Sequence, residues 1–143
     1  MKIFGIGVDI IENKRFKKLL NDKKFINRIC SLKEYQVFKK KKNKVLFLSK
    51  RFSAKEAFVK SLGSGFRDNL CFTDISILND KKGKPYFLFN QKLKNLLKRK
   101  YNLNKFKAHL SLSDEKQHSI SYVILQKLKW KKLLLKIWRQ YFT

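Results

Sequence analysis

Val45-Leu-Phe-Leu-Ser-Lys-Arg-Phe-Ser-Ala-Lys-Glu-Ala-Phe-Val-Lys-Ser-Leu62, followed by Gly63-Ser64-Gly65, is the stretch on which the fold turns. Val45, Leu48, Phe52, Val59 and Leu62 recur at helical spacing along one side, which predicts a helix from about Val45 to Leu62. The glycines just past Leu62 end it. Ser53-Ala-Lys-Glu56 matches a capping box, but the apolar stripe runs straight through it, so no helix starts there.

Outward from this helix the signals change period. Lys2 to Ile11 is β-branched, with Gly5 and Gly7 interleaved, and reads as a buried strand ending near Asp9. Residues 12–42 carry helical patterning in short pieces. Asp22 caps one start, Ser31-Leu-Lys-Glu34 has capping-box spacing before the next, and Lys39 to Lys42 forms a solvated connector. Beyond the glycines, Thr73 to Leu78 alternates as a strand, Asn79 to Pro85 is rich in turn formers, and a hairpin into Tyr86 to Phe89 follows. Gln91 to Lys100 reads as a surface helix. Phe106 to Ser113 alternates, with Phe106, Ala108, Leu110 and Leu112 on one face and Lys107, His109, Ser111 and Ser113 on the other, and Ser119 to Leu125 is the last strand. The expectation is an α+β single domain: a mostly antiparallel sheet packed against one long helix.

The chain has 143 residues, with 36 Lys and Arg against 10 Asp and Glu, a formal charge of +26. At 43% hydrophobic content with 13 Phe it can bury a core without staples, which argues against disorder. The apolar run Ile3 to Val8 is far shorter than a membrane span, and the protein is expected in the cytoplasm. Cys30 and Cys71 stand alone, without zinc-type spacing, which suits a reducing compartment. The charge surplus favours anionic partners, although a Lys-rich compositional drift explains much of it equally well. From Gln126 to Thr143 the chain has six basic residues and no acid. As a helix this extension places Lys129, Lys132, Lys136 and Arg139 opposite Leu133, Leu134, Ile137, Trp138 and Tyr141. It is read as a basic amphipathic appendage, 126–143, on a domain of residues 1–125, able to contact a membrane or lie on an oligomer.

Three residues concentrate unusual chemistry: Asp9 in an apolar strand, Glu56 at the edge of the helical stripe, and Lys60 one turn later. Two carboxylates that reach one point can hold a hard cation such as Mg2+, which recruits phosphate oxygens for the rest of its shell. A lysine on the same face adds charge against those phosphates. The plainer reading is an i,i+4 pair between Glu56 and Lys60 with Asp9 in a turn. Gly5-Ile-Gly7 lacks the third glycine of a dinucleotide fingerprint. Gly63-Ser64-Gly65 follows the negative end of its helix, so helix termination is its first meaning.

Gly5-Ile-Gly-Val-Asp9-Ile-Ile-Glu-Asn-Lys-Arg15 and Lys50-Arg-Phe-Ser-Ala-Lys-Glu56-Ala-Phe-Val-Lys60-Ser-Leu-Gly-Ser-Gly65 resemble, in order and separation, the two signature motifs of the holo-[acyl-carrier-protein] synthases, a family of 4′-phosphopantetheinyl transferases. Asn79-Asp80-Lys-Lys-Gly83-Lys-Pro85 and His109-Leu-Ser-Leu-Ser-Asp-Glu115 resemble the family's later GKP turn and HxSxxDE strand. The resemblance covers about residues 1 to 125 and outweighs the plainer reading of Asp9 and Glu56. It implies transfer of the phosphopantetheine arm of coenzyme A to a serine of apo acyl carrier protein, for fatty acid biosynthesis, with adenosine 3′,5′-bisphosphate leaving. By the same resemblance Asp9 and Glu56 hold Mg2+ and, with Lys60 beside the transferred phosphate, form the catalytic set. Arg51, Gly63, Ser64, Gly65, Lys84, Pro85, His109 and Ser111 hold coenzyme A, and Arg15 grips the acidic carrier. A carboxylate or a water on the metal takes the serine proton, and the residues leave both open. The resemblance also implies a homotrimer with sites between neighbours.

Asn13 stands where the family is usually apolar and is expected to loosen the region behind the metal strand. The extension from Gln126 lies beyond the resemblance. Two other classes fit part of the pattern. A basic nucleic-acid-binding module would use the charge and interleaved aromatics, but it gives no reason for Asp9 or Glu56, so no specific nucleic acid is expected. A metal-dependent phosphohydrolase would use the same two acids without a carrier.

Overall fold

A computed structural model describes residues 2–129. β1 (Lys2–Glu12) leads through a 3₁₀ segment, Asn13–Leu19, into α1 (Lys23–Ile29), α2 (Leu32–Lys40) and the long α3 (Lys44–Leu62). A 3₁₀ turn at Phe72–Asp74 precedes β2 (Ile75–Asn79) and β3 (Pro85–Phe89), and α4 (Gln91–Tyr101), β4 (Phe106–Asp114) and β5 (His118–Lys127) complete the fold. β5 lies between β1 and β4 in one antiparallel sheet, and β2 and β3 form a separate antiparallel hairpin. The expected α+β class holds.

Local chemistry sets most boundaries. Asp22 Oδ1 accepts from Phe25 N–H at 3.0 Å, and Ser31 and Glu34 close a complete capping box on α2. Asn43 Oδ1 accepts from Leu46 N–H at 3.0 Å to start α3, one residue before the sequence reading placed it. Gly63, at φ 77°, ends α3 in the left-handed conformation that suits glycine. In the hairpin turn, Asp80 Oδ1 accepts from the N–H groups of Lys82 and Lys84. Thr73 falls in the 3₁₀ turn and not in β2, because the Asp74 carboxylate accepts from Cys71 N–H at 2.8 Å and Asn90 Nδ2 at 2.7 Å and curls the chain there.

Three sequence expectations change. First, β1 runs past Asp9 to Glu12. Asn13 fastens its end: the backbone N–H donates to Gln117 O at 2.7 Å, Nδ2 donates to Glu115 O at 2.9 Å, and Oδ1 accepts from Ser119 Oγ at 2.7 Å. Asn13 therefore tightens the region it was expected to loosen, because its buried amide finds partners. Second, β1 is buried on one face only. Ile6, Val8 and Ile10 are 53%, 50% and 64% exposed and pair across the ladder with Ile124, Tyr122 and Ile120 of β5, leaving an open apolar face on the sheet. Third, β5 continues through Gln126 and Lys127, two residues that the sequence reading gave to the extension. The amphipathic helix expected there falls, from residue 130 on, outside the described residues.

The long helix is buried on several sides. One core cluster gathers Ala54, Phe58, Val59 and Leu62 with Ile75, Ile77, Leu93, Leu97, Val123 and Leu125. A second gathers Phe47 and Leu48 with Ile11, Phe16, Ile26 and Phe38. The stripe read from Val45 and Phe52 is thus one edge of a more enclosed surface. At its centre lies a buried ion pair. Lys55 Nζ donates to Ile29 O at 2.6 Å, Glu34 Oε2 at 2.7 Å and Phe72 O at 2.9 Å. Glu34 in turn accepts from Ser31 N–H and Ile77 N–H. Burial pushes the Lys55 pKa down, and the Glu34 carboxylate beside it works the other way. Nearby Cys30 is buried and free, its thiol pushed up to about 11 by burial first and Glu34 second.

At Gly5 and Gly7, β1 meets α3 with no side chain of its own between. A Cβ on Gly7 would lie 1.7 Å from Ala57 O, and one on Gly5 1.9 Å from Ser61 O. Both neighbours are helix backbone and cannot swing away, so Gly7→Ala is expected to cost about 3 kcal/mol in denaturant unfolding and to separate β1 from α3. Lys55→Met leaves the Glu34 carboxylate unpaired in the core and should cost about 3–5 kcal/mol by the same measurement. Adding Glu34→Gln should recover part of that loss.

Candidate active site

Because β1 lies this close to α3, Asp9 projects against the helix one turn from its end. Its side chain is 14% exposed, and Lys60 Nζ donates to its Oδ1 at 2.8 Å and to Val8 O at 3.1 Å. Glu56 sits one turn before Lys60. Burial raises its pKa first, the Asp9 charge raises it further, and Lys60 partly offsets both. Lys60 therefore reaches across to the strand and does not close the simple i,i+4 pair that spacing alone allows. Glu56 thus lies close enough to feel the charges of both Asp9 and Lys60, and a further cation would relieve the repulsion between the two carboxylates.

A second group lies on another side of α3. Arg51 precedes Glu56 by five residues, a rotation of about 140° around the axis. It is 4% exposed, its guanidinium carbon lies 4.0 Å from the centre of the Phe47 ring, and Nη2 donates to Asn79 Oδ1 at 2.8 Å. Its buried Nε has no hydrogen-bond partner among the described residues. Burial lowers its pKa, with the Glu34 charge opposing. Arg51 lines a cavity of about 810 Å³ together with Asn79, Gly83, Pro85 and Ser111, and Lys40, Lys41, Lys42 and Lys50 line the same space. The one acid in that lining, Asp114, is held by Lys50 at 3.0 Å. A buried guanidinium with a spare donor, in a lysine-lined cavity, suits an anionic group such as phosphate.

The remaining residues from the sequence reading fall around these two groups. Gly63 and Gly65 have φ of 77° and 69°, and between them Ser64 Oγ accepts from Tyr101 O–H at 2.6 Å and donates to Gly65 O at 3.3 Å. Lys84 is exposed in the hairpin turn, its backbone N–H bonded to Asp80. His109 shares the outer face of β4 with Ser111, and its Nε2 lies 3.1 Å from Gln126 Oε1. Arg15 is exposed on the 3₁₀ segment after β1. Within one chain no hydrogen bond or ion pair among the described residues joins Arg51, His109 or Arg15 to the Asp9 and Glu56 pair. Asn79 as the partner of Arg51, Tyr101 as the anchor of Ser64, and the lysines at 40–42 in the cavity were not singled out from sequence. Each depends on a contact between residues far apart in the chain, which no local pattern marks.

The family model of the 4′-phosphopantetheinyl transferase superfamily matches residues 5–123. The holo-[acyl-carrier-protein] synthase of Pelagibacter ubique (strain HTCC1062) is 53% identical over 127 residues, covering 89% of this chain and 99% of its own length. The crystal structure of the holo-[acyl-carrier-protein] synthase from Neisseria meningitidis superposes with a TM-score of 0.80 at 35% identity, over 88% of this chain and 100% of that one. The Bacillus anthracis str. Ames holo-(acyl-carrier-protein) synthase, solved in complex with CoA (3′,5′-ADP), gives a TM-score of 0.74 at 34% identity over 88% of this chain and 98% of that one. With the motifs around Asp9 and Glu56 on adjoining elements and similarity running through the whole described fold, the chain belongs to the holo-[acyl-carrier-protein] synthase family of the 4′-phosphopantetheinyl transferase superfamily.

Proposed function

We propose that the protein transfers 4′-phosphopantetheine from coenzyme A to a serine of apo acyl carrier protein, in the cytoplasm and for fatty acid biosynthesis. The serine oxygen bonds to the phosphorus of the arm, the bond from that phosphorus to adenosine 3′,5′-bisphosphate breaks, and the serine proton leaves. The observation that carries the reading is the meeting of Asp9, Glu56 and Lys60 in a member of this family. Asp9 and Glu56 suit Mg2+, because both offer hard oxygen donors and their mutual repulsion is relieved by a cation. Among the described residues no third His, Cys, Asp or Glu joins them, so a cation held there would have positions left for water and phosphate oxygens. When bound, Mg2+ supplies neutralising charge to the pyrophosphate as the bond to phosphorus changes hands.

The chain's own residues do the remainder. Lys60 bonds Asp9 and stands ready to meet a phosphate oxygen. Gly63, Ser64 and Gly65 offer backbone to the coenzyme A arm without side chains in the way at either glycine. Arg51, with its spare Nε, and Ser111, Pro85, Lys84 and His109 hold the nucleotide end. Arg15, exposed among Lys14, Lys17 and Lys18, grips the acidic carrier. Arg51 and Glu56 face different sides of α3, so a site that uses both is completed by a neighbour. The open apolar face of Ile6, Val8, Ile10, Ile120 and Tyr122 supports a homotrimer that buries it.

Incubation with coenzyme A, Mg2+ and apo acyl carrier protein should add one phosphopantetheine to the carrier by mass spectrometry. Hydrolysis of coenzyme A in the no-carrier control would instead mark a phosphohydrolase. Asp9→Asn and Glu56→Gln should each lower transfer on the order of 10²–10³-fold. Glu56→Gln should leave the melting temperature of the metal-free protein no lower than that of the parent, since it removes a like charge from beside Asp9. Val8→Asp places a charge on the open apolar face, and light scattering should then show a monomer with transfer lost. A trimer that persists with full activity would remove the neighbour-completed site.

A further inference from the structure

Helix α3 is gripped on two nearly opposite sides. On one, the backbone at Ala57 and Ser61 receives β1 at Gly7 and Gly5. Lys55 precedes Ala57 by two residues, about 200° around the axis, and enters the core on the other side. There its ammonium meets the Glu34 carboxylate, and both side chains are 0% exposed. Four separate places in the chain complete the pair: Ile29 O at the end of α1, Ser31 N–H at the start of α2, Phe72 O in the turn before β2, and Ile77 N–H within β2. Ser76 Oγ braces the same region with a bond of 2.6 Å to Ser31 Oγ. No residue assigned above to the cation, coenzyme A or the carrier takes part in these bonds.

A buried pair of this kind gains little stability over an apolar pair of similar volume, because desolvating two charges cancels most of their attraction. What it supplies is direction. An apolar contact would let α3 turn a few degrees at small cost, whereas hydrogen bonds weaken steeply as they bend. Glu56 follows Lys55 by about 100° around the axis, so it stands on the flank between the two grips, where it feels Asp9 and Lys60. We propose that the Lys55 and Glu34 pair positions the candidate cation site: it sets the rotation of α3, and with it the direction in which Glu56 meets Asp9, while Gly5 and Gly7 set the distance. The inference rests on the reading of Asp9 and Glu56 as cation ligands. Lys55 and Glu34 are positioning residues that act through Glu56, and neither is a ligand. Groups that orient metal ligands from behind contribute about 10–100-fold in metal affinity.

The test is titration of the metal-free full chain with Mn2+, a probe for hard oxygen sites, read by spin resonance of the free ion. E34Q/K55M removes both charges together, so no unpaired one stays in the core. It should bind Mn2+ at least about tenfold more weakly than the parent and need correspondingly more Mg2+ for transfer, with its circular dichroism unchanged. E34D keeps both charges but draws the carboxylate back by one methylene, and it should also weaken Mn2+ binding on the order of tenfold, which keeps the test open if the double variant does not fold. Leu96→Ala is the control for stability alone: it opens a cavity in the core beneath α4 and lowers the melting temperature, yet it should leave Mn2+ affinity within about twofold of the parent's. Parent-like affinity in a folded E34Q/K55M or in E34D, or an equal loss in L96A, would overturn the positioning role and leave Asp9 and Glu56 as ligands. Failure of the parent itself to bind Mn2+ would overturn the cation site, and this role with it.

Discussion

Strand β1 lies on helix α3 backbone to backbone, and everything the protein does at its acidic pair depends on that closeness. Glycine at positions 5 and 7 removes the Cβ atoms that would strike Ser61 O and Ala57 O. Two residues further along the same face of β1, Asp9 then arrives beside Glu56 and Lys60. Side chains at Gly5 and Gly7 would hold the strand off, and a carboxylate reaching across a wider gap would lose Lys60. The glycines serve strand-to-helix approach, which explains why a short glycine pattern here does not announce a nucleotide-binding turn.

The helix must also be held at one rotation, and the buried pair of Lys55 and Glu34 does this. All three ammonium protons have an acceptor, and both carboxylate oxygens have donors, from α1, α2, β2 and the turns around them. A fully buried pair contributes little net stability against an apolar substitute, because desolvating two charges cancels most of the attraction. Its geometry is nonetheless demanding, since a small rotation of α3 would break several bonds at once. Lys55 and Glu56 are neighbours about 100° apart on the helix. Fixing Lys55 inward therefore fixes the direction in which Glu56 points.

The limits of sequence reading follow the range of the interactions involved. Asp22, the Ser31 to Glu34 box, Gly63 and the Asp80 turn act on atoms a few residues away, and each was legible. The alternation of β4 was legible for the same reason. The candidate site residues were singled out only through ordered motifs, since spacing alone left Glu56 and Lys60 as an ordinary helical pair. What escaped joins distant segments: Lys55 with Glu34, Arg51 with Asn79, Tyr101 with Ser64, and the ladder that leaves Ile6, Val8 and Ile10 open to one side. An apolar run such as Ile6 to Ile11 reads as buried whether the fold or a neighbouring subunit covers it. The run reads as a buried strand, and the single chain covers one face of it.

The scarcity of acids gives the last step. In a chain with 10 acidic residues against 36 basic ones, carboxylates are free to pair widely, and most do. Asp22 caps a helix, Asp80 holds a turn, and Asp68, Asp74 and Asp114 each take a lysine. Burial pushes the Asp74 carboxyl up, yet the hydrogen bonds from Cys71 N–H, Lys92 and Asn90 outweigh it and hold it low, as expected of an acid placed for stability. Glu56 is placed the other way: half-buried, beside another carboxylate, with its pKa raised by both. A chain so rich in lysine could neutralise Glu56 easily, and a single exposed Lys60, committed to Asp9, is what it supplies. One lysine shared between two neighbouring carboxylates leaves repulsion between them that a further cation would relieve, and this electrostatic arrangement is what supports the proposed cation site.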